Sequence, residues 1–553
     1  WRWSGRPSWR WSWATGALLG LTMLSKVSGL LWTAAAVLMW GVTVWRRRGE
    51  GRIKRLFFQG LAAGVTGFVL LWAGYGFGWG WVRGLPLPLP APNHWQSLRY
   101  LEQYVSEVYA LGRRTYGSWW WYYVLAFAIK NPLPMLIGWV IGVVGLVRRP
   151  SSGGRWWAIG LFPALYSAAA IATGMNIGYR HMLPIHPFIY LAIGVGGQRW
   201  VLASGKRWRR WAAAALAVWY AAGTLRVWPY ELAYFNELAG GPSGGYRYLS
   251  DSNVDWGQSA NTMRAYLEAH PDARSTPPES PWRPAPGTYV IQATHLYGGG
   301  IADPYAYEWF RHREPDTILA YSILVYEVPP WEKGWFAQCT QPAAPLDRDA
   351  IAAGMGSDDL RILRFDCRQT WIYGRETAPG VYALHDDLME ARGFGWPPAM
   401  PGDPIAADPF VARHLAPARL SFKHTRQGPA PPFVLYEMPP AAASLPRNLA
   451  VGAARPGGRA QDLIPLAWPV DLEGPLALLG AEVYREGEAL EIETWWRVTA
   501  DPISEPFSIM GHLVTADGET IDVADGLGAS PLTLFEGDVI VQRHRFSQVP
   551  AGS

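Results

Sequence analysis

The first 230 residues alternate between long apolar runs and short basic clusters, and the rest of the chain does not. Apolar runs cover roughly 56–75, 132–147, 156–173, 182–200 and 211–228. Each approaches the ~20 residues that a helix needs to cross the hydrocarbon of a bilayer. An earlier block, 14–45, would be ~48 Å long as one straight helix, too long for one crossing. Ser25 and Lys26 interrupt it, and both flanks are basic: Arg2, Arg6 and Arg10 before it, Arg46, Arg47 and Arg48 after it. Two cytoplasmic flanks require an even number of crossings, so the block reads as two short spans with Lys26 at the outward-facing tip. The pattern predicts a polytopic α-helical membrane domain of about seven crossings. A charged start before a short apolar core also fits a secretory signal, but more apolar runs follow it here rather than soluble sequence.

Charge sharpens the division. Residues 1–235 hold 25 Lys/Arg against four acids, a net of +21, and the remainder holds 24 against 40, a net of −16. The basic residues cluster between apolar runs: Arg46–Arg48 with Arg52, Lys54 and Arg55; Arg148 and Arg149 with Arg155; Lys206, Arg207, Arg209 and Arg210. That is the positive-inside pattern and not a nucleic-acid groove. On this reading 76–131, 174–181 and everything after about 229 lie outside the cytoplasm. The mean hydropathy of −0.02 is too low for a chain lying in a bilayer throughout, and 14% aromatic residues exclude a disordered chain. The 33 Trp suit a membrane–water boundary. The chain opens on Trp1 rather than Met and stops just after a strand-like run, which predicts a piece of a longer protein.

Several cations fall on the outer side. Lys26 is an ionisable residue between apolar neighbours. In the loop 76–131, Pro86, Pro88, Pro90 and Pro92 favour an extended path. Residues 94–112 place Trp95, Leu98, Leu101, Val105, Val108 and Leu111 on one face of an interfacial helix. Trp119 to Tyr123 make an aromatic belt. Arg113, Arg114 and Lys130 go against the positive-inside bias and call for an anionic partner, such as a lipid phosphate. Arg180, beside His181 in the short loop 176–181, offers a planar fork that matches phosphate oxygens. The bland alternatives are headgroup anchoring for the cations and a satisfied core role for His186. Further on, Asp251, Asn253 and Asp255 imitate the start of a calcium loop, but Trp256 and Thr262 stand where an EF-hand needs Gly and Glu. The stretch reads as a capped turn into a helix over about 257–269. A divalent cation of another kind stays open there, and no cofactor is certain.

Leu24 to Ser28, the block Gly117 to Pro134 with its Lys-Asn-Pro-Leu-Pro, Asn176 to Pro184, and Tyr234 to Gln258 together resemble bacterial membrane glycosyltransferases. They look like glycosyltransferase family 39, the dolichyl-phosphate-mannose protein mannosyltransferase group with the GT-C fold, over about residues 12–330. The resemblance implies inverting transfer of a sugar from a polyprenyl-phosphate donor, outside the cytoplasmic membrane, to a protein or envelope glycan. It implies donor-phosphate contacts at Lys26, Lys130, Tyr179, Arg180 and His181, with Arg113, Arg114, Asp251, Asn253 and Asp255 as further site-lining candidates. The carboxylate base that the family carries on its first outer loop has no matching position, since that loop would precede Trp1.

After about 259 the composition turns acidic and Pro-rich. The expected domains are 1–228 in the membrane, 229–330 as an outer α/β segment, 331–440 as a second mixed segment, and 441–553 as a truncated β-sandwich. Strands are predicted at 287–294, 318–328, 490–498, 507–515 and 538–547, with a Pro/Ala-rich linker at 428–446. Cys339 and Cys367, the only cysteines, are expected to pair in an oxidising compartment. Expected partners are a polyprenyl-phosphate sugar, membrane lipids and an acceptor, with no nucleic acid. Two other functions compete. A lipid-linked sugar transporter or flippase should show an internal repeat, and none is evident. A non-catalytic envelope protein that only binds sugar shares every feature except turnover.

Overall fold

A computed structural model describes residue 3, residues 6–148 and residues 157–547, except 51, 104–106, 173, 175, 177, 203–204, 298, 332–333, 375–378, 391–404, 425–430, 440–451, 455–462, 466–469, 472–473, 487–488, 501–502, 504–506 and 516. The chain forms two compact units, Trp1–Ser259 with Ala320–Ser322, and Ala260–Leu319 with Ile323–Ser553. The stretch 229–259 thus belongs with the apolar helices.

The first unit is mainly helical. Helices α1 (Trp9–Ser25), α2 (Leu30–Arg46) and α3 (Ile53–Gly74) follow one another closely. Small residues let α1 and α3 touch backbone to backbone: a Cβ on Gly20 would lie 2.6 Å from the carbonyl of Gly67. A ribbon of β1 (Trp79–Gly80) and β2 (Leu89–Pro90) leads to α4 (Pro92–Gln103). A hairpin of β3 (Glu107–Ala110) and β4 (Arg113–Tyr116) follows. Then come α5 (Tyr122–Lys130), α6 (Leu133–Arg148), α7 (Trp157–Ala172), a 3₁₀ segment at Tyr179–Ile185, α8 (His186–Leu202) and α9 (Arg207–Leu225).

This structure overturns the expectation of seven crossings. Among the described residues, two helical stretches are long and apolar enough to span a bilayer, Val27–Arg46 and Ile53–Gly74. The count reaches three only if α5 and α6, bent by 109° at their junction, make one span. The apolar runs are real, but local chemistry cuts them short. Asn131 precedes Pro132 and is driven out of helix to φ −108°, ψ 142°. The run 182–200 loses its first turns to the 3₁₀ segment around Pro184, leaving α8 with 17 residues. Helices α6 and α7 have 16 residues each, and α9 spends its first turn on Arg207, Arg209 and Arg210. The interfacial helix expected over 94–112 stops at Gln103, and Val108 and Leu111 belong to the hairpin, which turns through Leu111 and Gly112 at positive φ. Arg149 and Arg155 of the second basic cluster lie outside the described residues.

The second unit is built on sheets. After α10 (Ala260–Ala269), strands β5 (Gly287–Gln292), β6 (Thr317–Leu319) and β7 (Ile323–Val328) pair antiparallel in the order β5-β7-β6. A mixed sheet follows, from β8 (Trp335–Cys339), β9 (Arg361–Phe365), β11 (Gly380–His385), β14 (Arg419–His424) and β15 (Phe433–Met438), ordered β14-β15-β11-β8-β9. Helices α11 (Arg348–Met355) and α12 (Pro409–Leu415) lie between its strands in sequence, as does a short ribbon of β12 (Met389–Glu390) with β13 (Ile405–Ala406). The described part of the expected linker 428–446 contains β15, a mostly buried strand; the rest falls outside the described residues. The expected carboxy-terminal sandwich is instead one five-stranded antiparallel sheet with two-stranded ribbons beside it. Its strands are β10 (Thr370–Tyr373), β23 (Val539–Phe546), β20 (Ala489–Val498), β19 (Leu476–Glu486) and β18 (Val470–Asp471), in that order. The ribbons pair β16 (Gly452–Ala454) with β17 (Leu463–Pro465), and β21 (His512–Val514) with β22 (Thr520–Val523). Trp335, Leu363, Trp371 and Tyr382 share one core with Leu479, Trp495 and Ile540, so the two larger sheets fold around common apolar ground. Cys339 and Cys367 are bonded, with Cα atoms 5.3 Å apart and 28 residues between them in sequence.

Candidate functional site

The end of α5 is held by side-chain amides. Helices finish with carbonyls that have no intrahelical partner. Here Asn131 Nδ2 donates to the Phe127 carbonyl (2.8 Å), and Asn236 Nδ2 donates to the carbonyls of Ala128 (2.6 Å) and Asn131 (2.8 Å). The Asn236 amide N–H donates to the Ile129 carbonyl at 2.9 Å. Lys130 completes the cap. Its ammonium donates to the carbonyls of Leu232 (2.7 Å) and Asn253 (2.6 Å) and lies 4.1 Å from the centre of the Phe235 ring. Lys130 therefore ties α5 to two later loops, in a position that also suits the negative end of a helix dipole.

Those loops meet the 3₁₀ segment through Asn253. Its Oδ1 accepts the Tyr179 amide N–H (2.8 Å), and its Nδ2 donates to the Tyr122 hydroxyl (2.8 Å) and the Ser250 carbonyl (3.0 Å). The Tyr179 hydroxyl accepts from Asn131 Nδ2 at 2.6 Å, while Asn131 Oδ1 lies 2.9 Å from His186 Nε2. The contact is tight enough to need a glycine: a Cβ on Gly178 would sit 2.2 Å from Ser252 Oγ. Asp251, at the head of this turn, has φ +56°, a left-handed conformation that Asp tolerates better than most residues.

The scaffold gathers charges from distant positions. Lys26 occupies the break between α1 and α2 in extended backbone. Arg180 and His181 follow Tyr179 in the 3₁₀ segment. Burial, with Lys26 and Arg180 both adding to it, pushes His181 down to about 4, so its ring is neutral at pH 7. His181 Nε2 is buried without a hydrogen-bond partner among the described residues. Burial raises the Asp251 carboxyl above its ordinary value, and the Ser252 N–H and Arg180 partly offset that. The Arg180 guanidinium lies 4.3 Å from the centre of the Trp256 indole. Among the described residues, neither the Lys26 nor the Arg180 side chain forms an ion pair or a hydrogen bond.

No known protein family, curated protein or solved structure matches this chain. The site has to be read from its own chemistry. Of the sequence candidates, Lys26, Tyr179, Arg180, His181 and Asp251 come together. Lys130, Asn253 and Asp255 serve the scaffold. Asp255 Oδ1 accepts the Gly257 N–H (2.6 Å) and Oδ2 accepts the Ser322 hydroxyl (3.0 Å). Among the described residues no three His, Cys, Asp or Glu side chains converge on a metal position. Arg113 is exposed on the β3–β4 hairpin, and Arg114 pairs with Glu107 on the same hairpin at 3.4 Å. Sequence reasoning passed over Asn131, Asn236 and Tyr122. The signal for the first two was present, in an Asn before Pro at a helix end and an Asn opening the Glu237–Ala239 turn, where its side chain accepts the Leu238 N–H.

Proposed function

We propose that this chain transfers a sugar from a polyprenyl-phosphate donor to an acceptor at the outer face of a membrane, with the donor phosphate held between Lys26 and Arg180. The observation that carries the reading is the cation pair itself. Two side chains 154 positions apart in sequence are brought around a neutral histidine, and among the described residues neither forms an ion pair or a hydrogen bond. Arg180 is half-buried, and such a cation is costly unless something anionic neutralises it, while Lys26 is exposed and open to a ligand. A phosphate is suited to both: it offers a fork for Arg180 and a point charge for Lys26. Lys26 directly precedes the stretch Val27–Arg46, one of the two long enough to span a bilayer, which supports a ligand presented at the membrane boundary.

In the transfer, a bond forms between the acceptor oxygen and the anomeric carbon, and the bond from that carbon to the phosphate oxygen breaks. The electron pair leaves on the phosphate, and the acceptor proton passes to a base outside this cluster. Lys26 and Arg180 act where negative charge grows, the form of assistance that contributes most in a desolvated site. The test is donor titration on the whole chain, with thermal stability followed in parallel. Arg180→Ala should weaken donor binding by about 2–5 kcal/mol, roughly 30-fold to several-thousand-fold, and Arg180→Lys should recover part of it. Unchanged affinity in a folded Arg180→Ala variant overturns the assignment.

A further inference from the structure

Trp256 combines two properties that pull against each other. Its side chain is 62% exposed, although an indole gains most from burial. Its backbone is nevertheless fixed on both sides. The Trp256 N–H donates to Gln258 Oε1 (2.7 Å), and Gln258 Nε2 returns to the Val254 carbonyl (2.9 Å). The next N–H, on Gly257, donates to Asp255 Oδ1, and Gly257 adopts φ +95°, which a side chain there would resist. Asp255 is anchored through Ser322, whose hydroxyl is 2.6 Å from that of Ser259. This network fixes the backbone that carries an exposed aromatic ring, and the Arg180 guanidinium lies over the ring at 4.3 Å.

We propose that Trp256 is the platform for the sugar of the donor, a role that rests on the reading of Arg180 as a phosphate ligand. A pyranose has an apolar face of C–H bonds and a polar rim, and a fixed indole matches that face while leaving the hydroxyls to water or protein. Arg180 covers part of the indole, and the exposure leaves a further face open. The guanidinium lies over the ring, so a glycosyl phosphate whose phosphate meets it brings its sugar to the part of the indole that remains exposed. A rigid ring contact with few hydrogen bonds selects for the shape of the sugar face more than for any one hydroxyl.

The experiment compares two probes on the full chain: a polyprenyl phosphate, and the same lipid phosphate carrying mannose or glucose. Trp256→Ala should weaken the sugar-bearing lipid about ten-fold and leave the bare lipid phosphate within about two-fold. Trp256→Phe should restore most of the loss, and Trp256→Leu, with bulk but no ring face, should not. Equal loss on both probes overturns the proposal, because Trp256 would then act only by holding Arg180. Unchanged binding of both probes overturns it as well, and leaves the ring as a membrane anchor, which quenching by brominated phospholipids would register. The phosphate reading is judged separately, by Arg180→Ala on the bare lipid phosphate: a loss there with none at Trp256 sinks only the sugar platform.

Discussion

The two units bury polar groups by different chemistry. In the second, charges are neutralised in place. Arg543 pairs with Glu491 and, at 2.7 Å, with Asp408, Arg413 bridges Glu491 and Glu493, and Arg361 grips the fully buried Asp538. In the first, the connectors meet neutral partners: Asn131, Asn236 and Asn253 bind carbonyls, amides and tyrosine hydroxyls, Lys130 binds two carbonyls, and Asp255 accepts from an amide and a hydroxyl. Lys26 and Arg180 stand outside that network. The lesson is that a charge consumed by the fold and a charge left for a ligand can be told apart by their partners.

The largest effect should come from breaking a consumed charge. Arg543→Leu takes the ion partner from Asp408 and leaves Glu491 with Arg413 alone, and removing one partner of a buried pair costs about 3–5 kcal/mol. Denaturant unfolding should show that loss for Arg543→Leu and little change for Lys26→Ala. Comparable losses at the two positions would erase the distinction between the units. Asn253→Ala comes next, since it strips partners from the Tyr179 N–H and the Tyr122 hydroxyl. About 1–3 kcal/mol should be lost, with donor binding falling as well because the Arg180 segment is no longer held. Donor binding that survives an Asn253→Ala variant with reduced stability would show that the amide network does not position the site. The smallest effect concerns His181. The unfolded chain takes up its proton near 6.5, and the fold resists it down to about 4. Since the unfolded state binds more protons in that window, stability should decline as pH falls from about 6.5 toward 4. His181→Gln should remove that share of the decline, read as the difference between the two melting profiles. Parallel profiles would mean that the ring is better solvated than the structure has it.

The sequence made some of this legible. The break at Lys26, the strand near 287–294 and the helix after Trp256 follow from apolar periodicity and turn residues, whereas 318–328, expected as one strand, is a hairpin turned through Ala320 and Tyr321 at positive φ. The crossing count failed because hydropathy reads how apolar a run is and not whether its backbone can stay helical. Asn131-Pro132 and the prolines at 184 and 187 decide that locally. Lys26 and Arg180 could be picked out as charges in apolar surroundings. Lys130 had the same signature and proved to be a cap, because its partners are carbonyls, and every residue has a carbonyl. The pairing of β10 with β23 was invisible for a further reason. Thr370 faces Gln542, and no local pattern links positions so far apart.

That pairing has a consequence for how the second unit is made. Strand β23 lies between β10 and β20 in the sheet, so the last of the described strands occupies an interior place. Contacts closed over a long stretch of chain carry a loop-entropy cost before they return any stability, and such topologies fold slowly. During synthesis β10 leaves the ribosome well before its only partner in the sheet exists. At about 5–20 residues per second, the ~170 residues between them correspond to roughly 10–30 seconds. Through that interval Trp371 and Ile372, both fully buried in the finished fold, present an open strand edge. Ribosome-bound chains arrested before residue 539 should therefore recruit holding chaperones, and chains arrested beyond residue 546 with room to emerge should release them.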